Sequence, residues 1–226
     1  MNIKKTSFLT GLSMMAVAVV AATSIATTSC QNANASDTRS LPSPTKSAKM
    51  TLMEALQQRH SVREFSDKAV SDVDLAELLW AACGINRPDT KKITAPSAIN
   101  AQDILMYVCT KDGAWLYVAD GNLLKKVSDK DLRAAVAGPQ ESVAIAPVSL
   151  VLVSDRTKFG DRAKGADTMG AIDAGYVSQN ICLACEALGL ATVPRGSMNH
   201  DAVKTALGLK EGQELLLNHP VGYEKK

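Results

Sequence analysis

Residues 114–127 read "AWLYVADGNLLKKV", two apolar segments joined at Asp120-Gly121. An Asp-Gly pair suits the positive φ of a tight hairpin turn, so the stretch predicts two antiparallel strands. A chain with a hairpin at its centre cannot be wound from strict strand–helix–strand units. "ILMYVCT" (104–110) and "ELLLNHPVGY" (214–223) add further strands, "LATVPRG" (190–196) a strand running into a loop. "APVSLVLVSD" (146–155) is β-branched and apolar enough to be covered on both faces.

Helix signals lie between these strands without regular alternation. Thr51 and Glu54 stand at capping-box spacing ahead of "LMEALQQR". Ser71 and Asp74 repeat the signal before "LAELLWAACG", where Leu75, Leu78, Leu79 and Ala82 form one apolar face and Gly84 ends the helix. A helix capped by Ser128 is expected over "DKDLRAAVAG", a long one over Met169 to Leu188 ended by Gly189, and a short one over "DAVKTALG". "INRPDTKKITAPSAINAQD" (85–103) reads as a loop. Helices and strands mixed in this way indicate an α+β fold rather than a doubly wound parallel sheet.

The N-terminus has a different character. Lys4 and Lys5 precede "TSFLTGLSMMAVAVVAATSIATTSCQ", which is uncharged and largely apolar, and the next charge is Asp37. The short apolar centre and small-residue end are those of an export signal. Cys30 after Thr28 and Ser29 resembles a bacterial lipoprotein signal, which implies cleavage before Cys30 and lipid attachment to it, although Thr27 stands where Leu is usual. Ala33-Asn34-Ala35 is an alternative cleavage site, and an uncleaved anchor helix a third reading. The expected organisation is a signal over 1–29, a Ser-, Pro- and Thr-rich tether over 30–49, and one folded domain over 50–226, placed in the cell envelope.

Beyond residue 29 the chain has 23 Lys and Arg against 23 Asp and Glu. A formal charge of zero provides no long-range attraction to nucleic acid or to an anionic membrane. No nucleophile elbow or Gly-rich phosphate loop is present, and His60, His200 and His219 lack partners at zinc spacing, so no metal site is expected.

"QQRHSVREF" (57–65) concentrates Arg59, His60, Ser61 and Arg63. In an extended segment Arg59, Ser61 and Arg63 project to one side, where guanidinium and hydroxyl donors match a phosphate. A solvated basic strand edge would look the same. In order along the chain, "RHSVREF", "PSAINAQ" (96–102), "QNICLACEALGLATVPRG" (179–196) and "PVGY" (220–223) resemble the FMN-dependent nitroreductase family, over about Leu52 to Tyr223. The hairpin "LYVADGNLLKKV" is similar to the branch that includes the azoline-forming peptide oxidases.

That resemblance implies a three-layer fold, a central mainly antiparallel sheet flanked by helices, built as an intertwined homodimer with FMN at each subunit interface. It implies that Arg59, His60, Ser61, Val62 and Arg63 hold the phosphate, ribityl chain and ring edge. Pro96, Ser97 and Asn100 would approach from the other subunit, and Gln140 would bond the pyrimidine part of the ring. Pro194, Arg195 and Gly196 would lie beside the isoalloxazine with backbone amides aimed at its reactive edge. Many members carry an acidic or neutral residue in place of Arg195, so a cation there suggests stabilisation of reduced flavin or of an anionic substrate. Many also end in a basic pair that contacts the phosphate, for which only Lys225 and Lys226 of a frayed terminus are available.

The expected activity is electron transfer through FMN between a donor and a small acceptor such as a nitroaromatic or quinone. No acid–base side chain is required for this. Export conflicts with a cytoplasmic nicotinamide donor, and the signal lacks twin arginines. Two other readings remain: a lipid-anchored flavin- or ligand-binding protein without turnover, and a thiol–disulfide protein using Cys182 and Cys185. Those cysteines lie three apart in the long helix, where they share a face and can simply pack.

Overall fold

The computed structural model describes residues 37–162 and 164–226. The signal over 1–29, Cys30 and the Ala33-Asn34-Ala35 site lie outside the described residues.

The hairpin forms as expected. β5 (Gly113–Val118) and β6 (Leu123–Ser128) pair antiparallel, and Gly121 takes φ +89° in the turn. β4 (Ile104–Thr110) pairs with β5 on one side and with β7 (Val148–Asp155) on the other. β9 (Gln213–Gly222) lies next to β7, and β8 (Ala191–Thr192) closes that edge. At the opposite edge β1 (Thr38–Ser40) pairs with β6, giving the antiparallel order β1-β6-β5-β4-β7-β9-β8.

Side-chain alternation divides the sheet into two faces. Met106 and Val108 of β4 with Leu150 and Leu152 of β7 pack beneath α2 (Asp72–Cys83) and α4 (Ala166–Ala187). Tyr107, Cys109, Val151 and Val153 face the other way, against α3 (Arg133–Ala137) and α5 (His200–Leu207). The result is a three-layer α+β fold with the sheet in the middle. Leu75, Leu78, Leu79 and Ala82 of α2 are all buried, as their spacing requires. Gly84 is the C-cap of α2, and a Cβ added there would stand 2.4 Å from the Trp80 side chain, so the position requires glycine.

α1 (Leu52–Gln58) begins with the expected box: Glu54 N–H donates to Thr51 Oγ1 at 3.3 Å, and Thr51 N–H donates to Glu54 Oε2 at 2.8 Å.

Three expectations need correction. Ser128 caps no helix; it pairs with Ala114 in the sheet, and α3 starts only at Arg133 after an uncapped turn. The 85–103 loop contains a small ribbon, β2 (Ile85–Arg87) against β3 (Lys92–Ile93). The tether does not run free to residue 49. Thr38–Ser40 extends the sheet, Leu41 is buried, and the N–H groups of Thr45 and Lys46 donate to the buried Glu77 carboxylate. The sheet edge and an inward-facing carboxylate offer partners that composition does not reveal, so the folded unit starts near residue 38 rather than 50.

Candidate functional site

Three of the four motifs meet at the β8–β9 edge. Val62 N–H donates to the Thr192 carbonyl at 3.1 Å, and Thr192 pairs with Val221 in the sheet. The Thr192 hydroxyl donates to the Pro220 carbonyl at 2.8 Å. Phe65 bridges to Glu224, Ser66 N–H donates to the Tyr223 carbonyl at 2.9 Å, and Lys225 N–H donates to the Glu64 carbonyl at 3.0 Å. The C-terminus is therefore not frayed as far as Lys225; its backbone runs alongside the opening motif.

Within that motif Val62 and Phe65 point inward and are buried, which leaves Ser61 and Arg63 exposed and Arg59 half-buried. The buried positions are three apart, and His60 and Glu64 are exposed as well, so the segment does not show the strict two-residue alternation expected of it. Among the described residues, Arg39, Arg133 and Arg156 have carboxylate partners, and Arg87 and Arg195 use their guanidinium groups in hydrogen bonds. The Arg59, Arg63 and Arg162 guanidinium groups have no hydrogen-bond or ion-pair partner among these residues, and of the three only Arg59 and Arg63 lie in the opening motif. Arg59 lies close enough to Cys182 for its charge to favour the thiolate there. His60 Nδ1 lies 3.0 Å from the Gln58 carbonyl and its Nε2 3.9 Å from Glu224.

A cleft of about 150 Å³ opens beside these residues, lined by His60, Val62, Cys182, Glu186, Leu190 and Thr192. Thr192 links the cleft to a buried polar relay. The Thr192 hydroxyl proton goes to Pro220, so His219 Nδ1–H donates to Thr192 Oγ1 at 3.2 Å, and Nε2 accepts from Ser178 at 2.9 Å. Burial lowers the His219 imidazole to about 3, and it is neutral and structural.

Cys182 and Cys185 are both buried, and burial raises both thiols above their ordinary value. This environment disfavours a thiolate and fits packing better than dithiol exchange.

The "TVPRG" segment departs from expectation at Arg195. Its main chain is a bridge to Asn218, with Arg195 N–H donating to the Asn218 carbonyl at 2.9 Å and Asn218 N–H donating back at 2.7 Å. Pro194 has no N–H, so of the three residues only Gly196 can present an amide. The Arg195 guanidinium is buried. It donates to Gln140 Oε1 at 2.7 Å, Asn218 Oδ1 at 2.8 Å, the Val136 carbonyl at 3.3 Å and the Ala137 carbonyl at 2.6 Å. It caps the C-terminal end of α3, where carbonyls need donors and the helix dipole favours a cation. The guanidinium is therefore committed to four acceptors of this chain, which the suggested role toward reduced flavin did not anticipate. Gln140 Oε1 is engaged as well, which leaves its Nε2 donors to offer a ring.

The fourth motif is elsewhere. Pro96 and Asn100 are exposed and Ser97 half-buried. Ser97 Oγ accepts the Gln102 N–H at 2.7 Å, and Ala98 N–H donates to Asp173 of α4 at 2.8 Å. Asp173 and Cys182 are separated by nine residues of α4, about 14 Å along the helix. One subunit thus does not bring Pro96, Ser97 and Asn100 to the Arg59–Arg63 cleft. Sequence reasoning missed Thr192 and Asp173, whose partners are distant in the chain and carry no local signal.

Comparison with known proteins gives one family. The Nitroreductase family model matches residues 56–223. A protein of Methanocaldococcus jannaschii provisionally named a nitroreductase is 30% identical over 184 residues, 76% of this chain and 90% of that protein. The Bacillus subtilis protein named FMN reductase [NAD(P)H] is 27% identical over 160 residues, and the match spans only 54% of its length. A Ralstonia eutropha structure provisionally named a nitroreductase superposes with a TM-score of 0.79 at 32% identity, over 84% of this chain and 90% of that one.

Proposed function

The chain belongs to the nitroreductase family, and from that membership we propose that it is an FMN-dependent oxidoreductase with a small acceptor such as a nitroaromatic or quinone. The observation that carries the reading is the Arg59–Arg63 pair, two guanidinium groups without partners among the described residues, with the Lys225 backbone drawn alongside Glu64. Such a donor set fits a phosphate group. Ser61 and His60 lie between the cations, Val62 fixes the segment to Thr192, and Gly196 offers the one amide of the "PRG" turn. When bound, FMN supplies the redox chemistry, accepting electrons from a donor and passing them to an acceptor.

The residues of this chain bind, orient and exclude water. The buried Thr192–His219–Ser178 relay keeps β8, β9 and α4 in register beneath the cleft, and Arg195 fixes the turn that presents Gly196. No side chain need transfer a proton. A reduced nicotinamide, named for the Bacillus relative, is the donor to test first. The β5–β6 hairpin favours the branch that includes the azoline-forming peptide oxidases.

We propose a homodimer as well. A cleft of about 150 Å³ is smaller than the roughly 300–1,000 Å³ of cofactor-sized pockets, so a second subunit supplies the missing wall. Leu52 and Met53 of α1 are 63% and 72% exposed, and Ile172 and Tyr176 of α4 are also uncovered, an apolar surface suited to that contact. Pro96, Ser97 and Asn100 then reach the neighbour's site. We further infer export to the cell envelope with lipid on Cys30, which palmitate labelling lost in Cys30→Ala would test.

Two-substrate kinetics tests the function. Parallel double-reciprocal lines for a reductant and a quinone or nitroaromatic support it. A protein that holds FMN yet turns over no acceptor is a binding module instead.

A further inference from the structure

A second cavity lies on the far side of α4 from the cleft. It occupies about 300 Å³ between residues 46–51, α1, α2 and α4, and shares no lining residue with the cleft. Ala184 and Ala187 of its wall stand two and five residues beyond Cys182, roughly 140–160° round the helix from it. The wall follows α4 and its C-cap from Asn180 to Leu188, about 12 Å of helix axis, so the space is elongated. Its apolar surface comes from Trp80 and Ala81 of α2 and from Leu183, Ala184, Ala187 and Leu188.

Two charged side chains border this space, and they differ. Glu77 of α2 is buried, and its carboxylate accepts from Thr45 Oγ1 at 2.6 Å, from the Lys46 N–H at 3.1 Å and from the Thr45 N–H. Those three donors satisfy it. Lys46 is exposed at the edge of the cavity and has φ +59°, the left-handed region that residues with side chains avoid. The bonds to Glu77 hold it there, as a strained residue requires. Its ammonium stands over the Trp80 ring, 5.5 Å from the centroid, and has no carboxylate partner among the described residues. The anion is already satisfied, and the cation is open to a partner.

We propose that this cavity is a ligand site separate from the flavin cleft, taking an elongated apolar body with one anionic head, the chemistry of a medium-chain fatty carboxylate. The head pairs with Lys46, and the chain lies along α4 between Trp80 and the alanines. Nothing in this assignment depends on flavin.

Size, polarity and charge agree on that class. Small-molecule sites begin at roughly 300 Å³, so the space suits one small molecule. Apolar walls reward the burial of methylene groups, whereas the hydroxyls of a sugar or the amides of a peptide would be left there without partners. Asn180 is the polar side chain of the α4 wall, and its Nδ2 already donates to the Ala82 carbonyl at 3.3 Å. A cationic head would meet the Lys46 ammonium and a carboxylate whose acceptors are in use. Of the lining residues only Leu52 also belongs to the surface proposed for the homodimer, so the α2–α4 wall lies outside that contact.

Calorimetric titration of the full chain with decanoate, kept below its micelle concentration, tests the site. Decanoate should bind saturably, and decylammonium, of equal length, about fivefold more weakly. Lys46→Gln should weaken decanoate by about the same factor and so remove the preference. Filling the wall should abolish decanoate binding while the unfolding midpoint stays near the parent's. Ala184→Phe is the first such variant, and Ala187→Leu takes its place if the larger side chain prevents folding. The proposal is overturned if decanoate does not bind, if it binds no better than decylammonium, if Lys46→Gln keeps the preference, or if a folded, filled variant binds as the parent does. FMN titration of the same samples separates the two readings. A parent chain that takes up decanoate but no FMN sinks the flavoenzyme reading and leaves this site standing.

Discussion

Val62 N–H donates to the Thr192 carbonyl at 3.1 Å, joining the basic opening motif to the "TVPRG" turn. Through Thr192 the same contact reaches Pro220 and Val221. The orientation of Arg59, Ser61 and Arg63 is therefore set by the sheet edge rather than by a loop of their own.

Because the two guanidinium groups bear no structural load among the described residues, Arg59→Ala and Arg63→Ala should leave the fold intact. Each charged hydrogen bond to a phosphate is worth about 1.5–3 kcal/mol, so FMN affinity should fall roughly tenfold to a hundredfold, with a weaker dependence on salt. Fluorescence titration at two ionic strengths reads both, and parental affinity in both variants would remove the assignment.

Arg195 predicts the opposite pattern. Its removal leaves the Val136 and Ala137 carbonyls, Gln140 and Asn218 without their donor. Arg195→Met should cost about 2–4 kcal/mol in urea unfolding, while the potential of any flavin still bound stays at the parental value. A shifted potential with unchanged stability would restore the flavin-stabilising role.

The starting point of the domain is also testable. A chain beginning at residue 50 loses β1, the buried Leu41 and the hydrogen bonds that Thr45 and Lys46 give to Glu77. It should be roughly 2–4 kcal/mol less stable than one beginning at residue 37. Equal unfolding midpoints would mean that the docked segment contributes nothing.

His219 gives a pH signature. Its folded-state value, about 3, lies below the ordinary 6.5. Between those values the unfolded chain binds a proton that the folded chain excludes, so stability falls as pH drops from 6.5 toward 3. His219→Gln removes that term and should flatten this part of the profile relative to the parent, measured as unfolding midpoint against pH. Curves that stay parallel would show that the imidazole is not held neutral.

The legible parts of the sequence were those with local causes. Asp120-Gly121, the Thr51–Glu54 box and the Leu75–Ala82 stripe encode their structure within a few residues, and the fold class followed from them. The strict alternation expected over Arg59–Arg63 was not found, because Val62 and Phe65, three apart, are the residues that anchor the segment. Arg195 was visible as a residue but not in its orientation, since its partners on α3 lie far away in the chain. The tether reading failed for the same reason: Thr38–Ser40 is ordered by β6, and Thr45 by Glu77.

The central claim is most directly tested by the visible spectrum of the purified full chain, titrated with FMN under anaerobic conditions. The account predicts saturable uptake of one FMN per subunit, bleaching on addition of a reductant, and return of colour on addition of a quinone or nitroaromatic. A colourless protein that takes up no added FMN would contradict it.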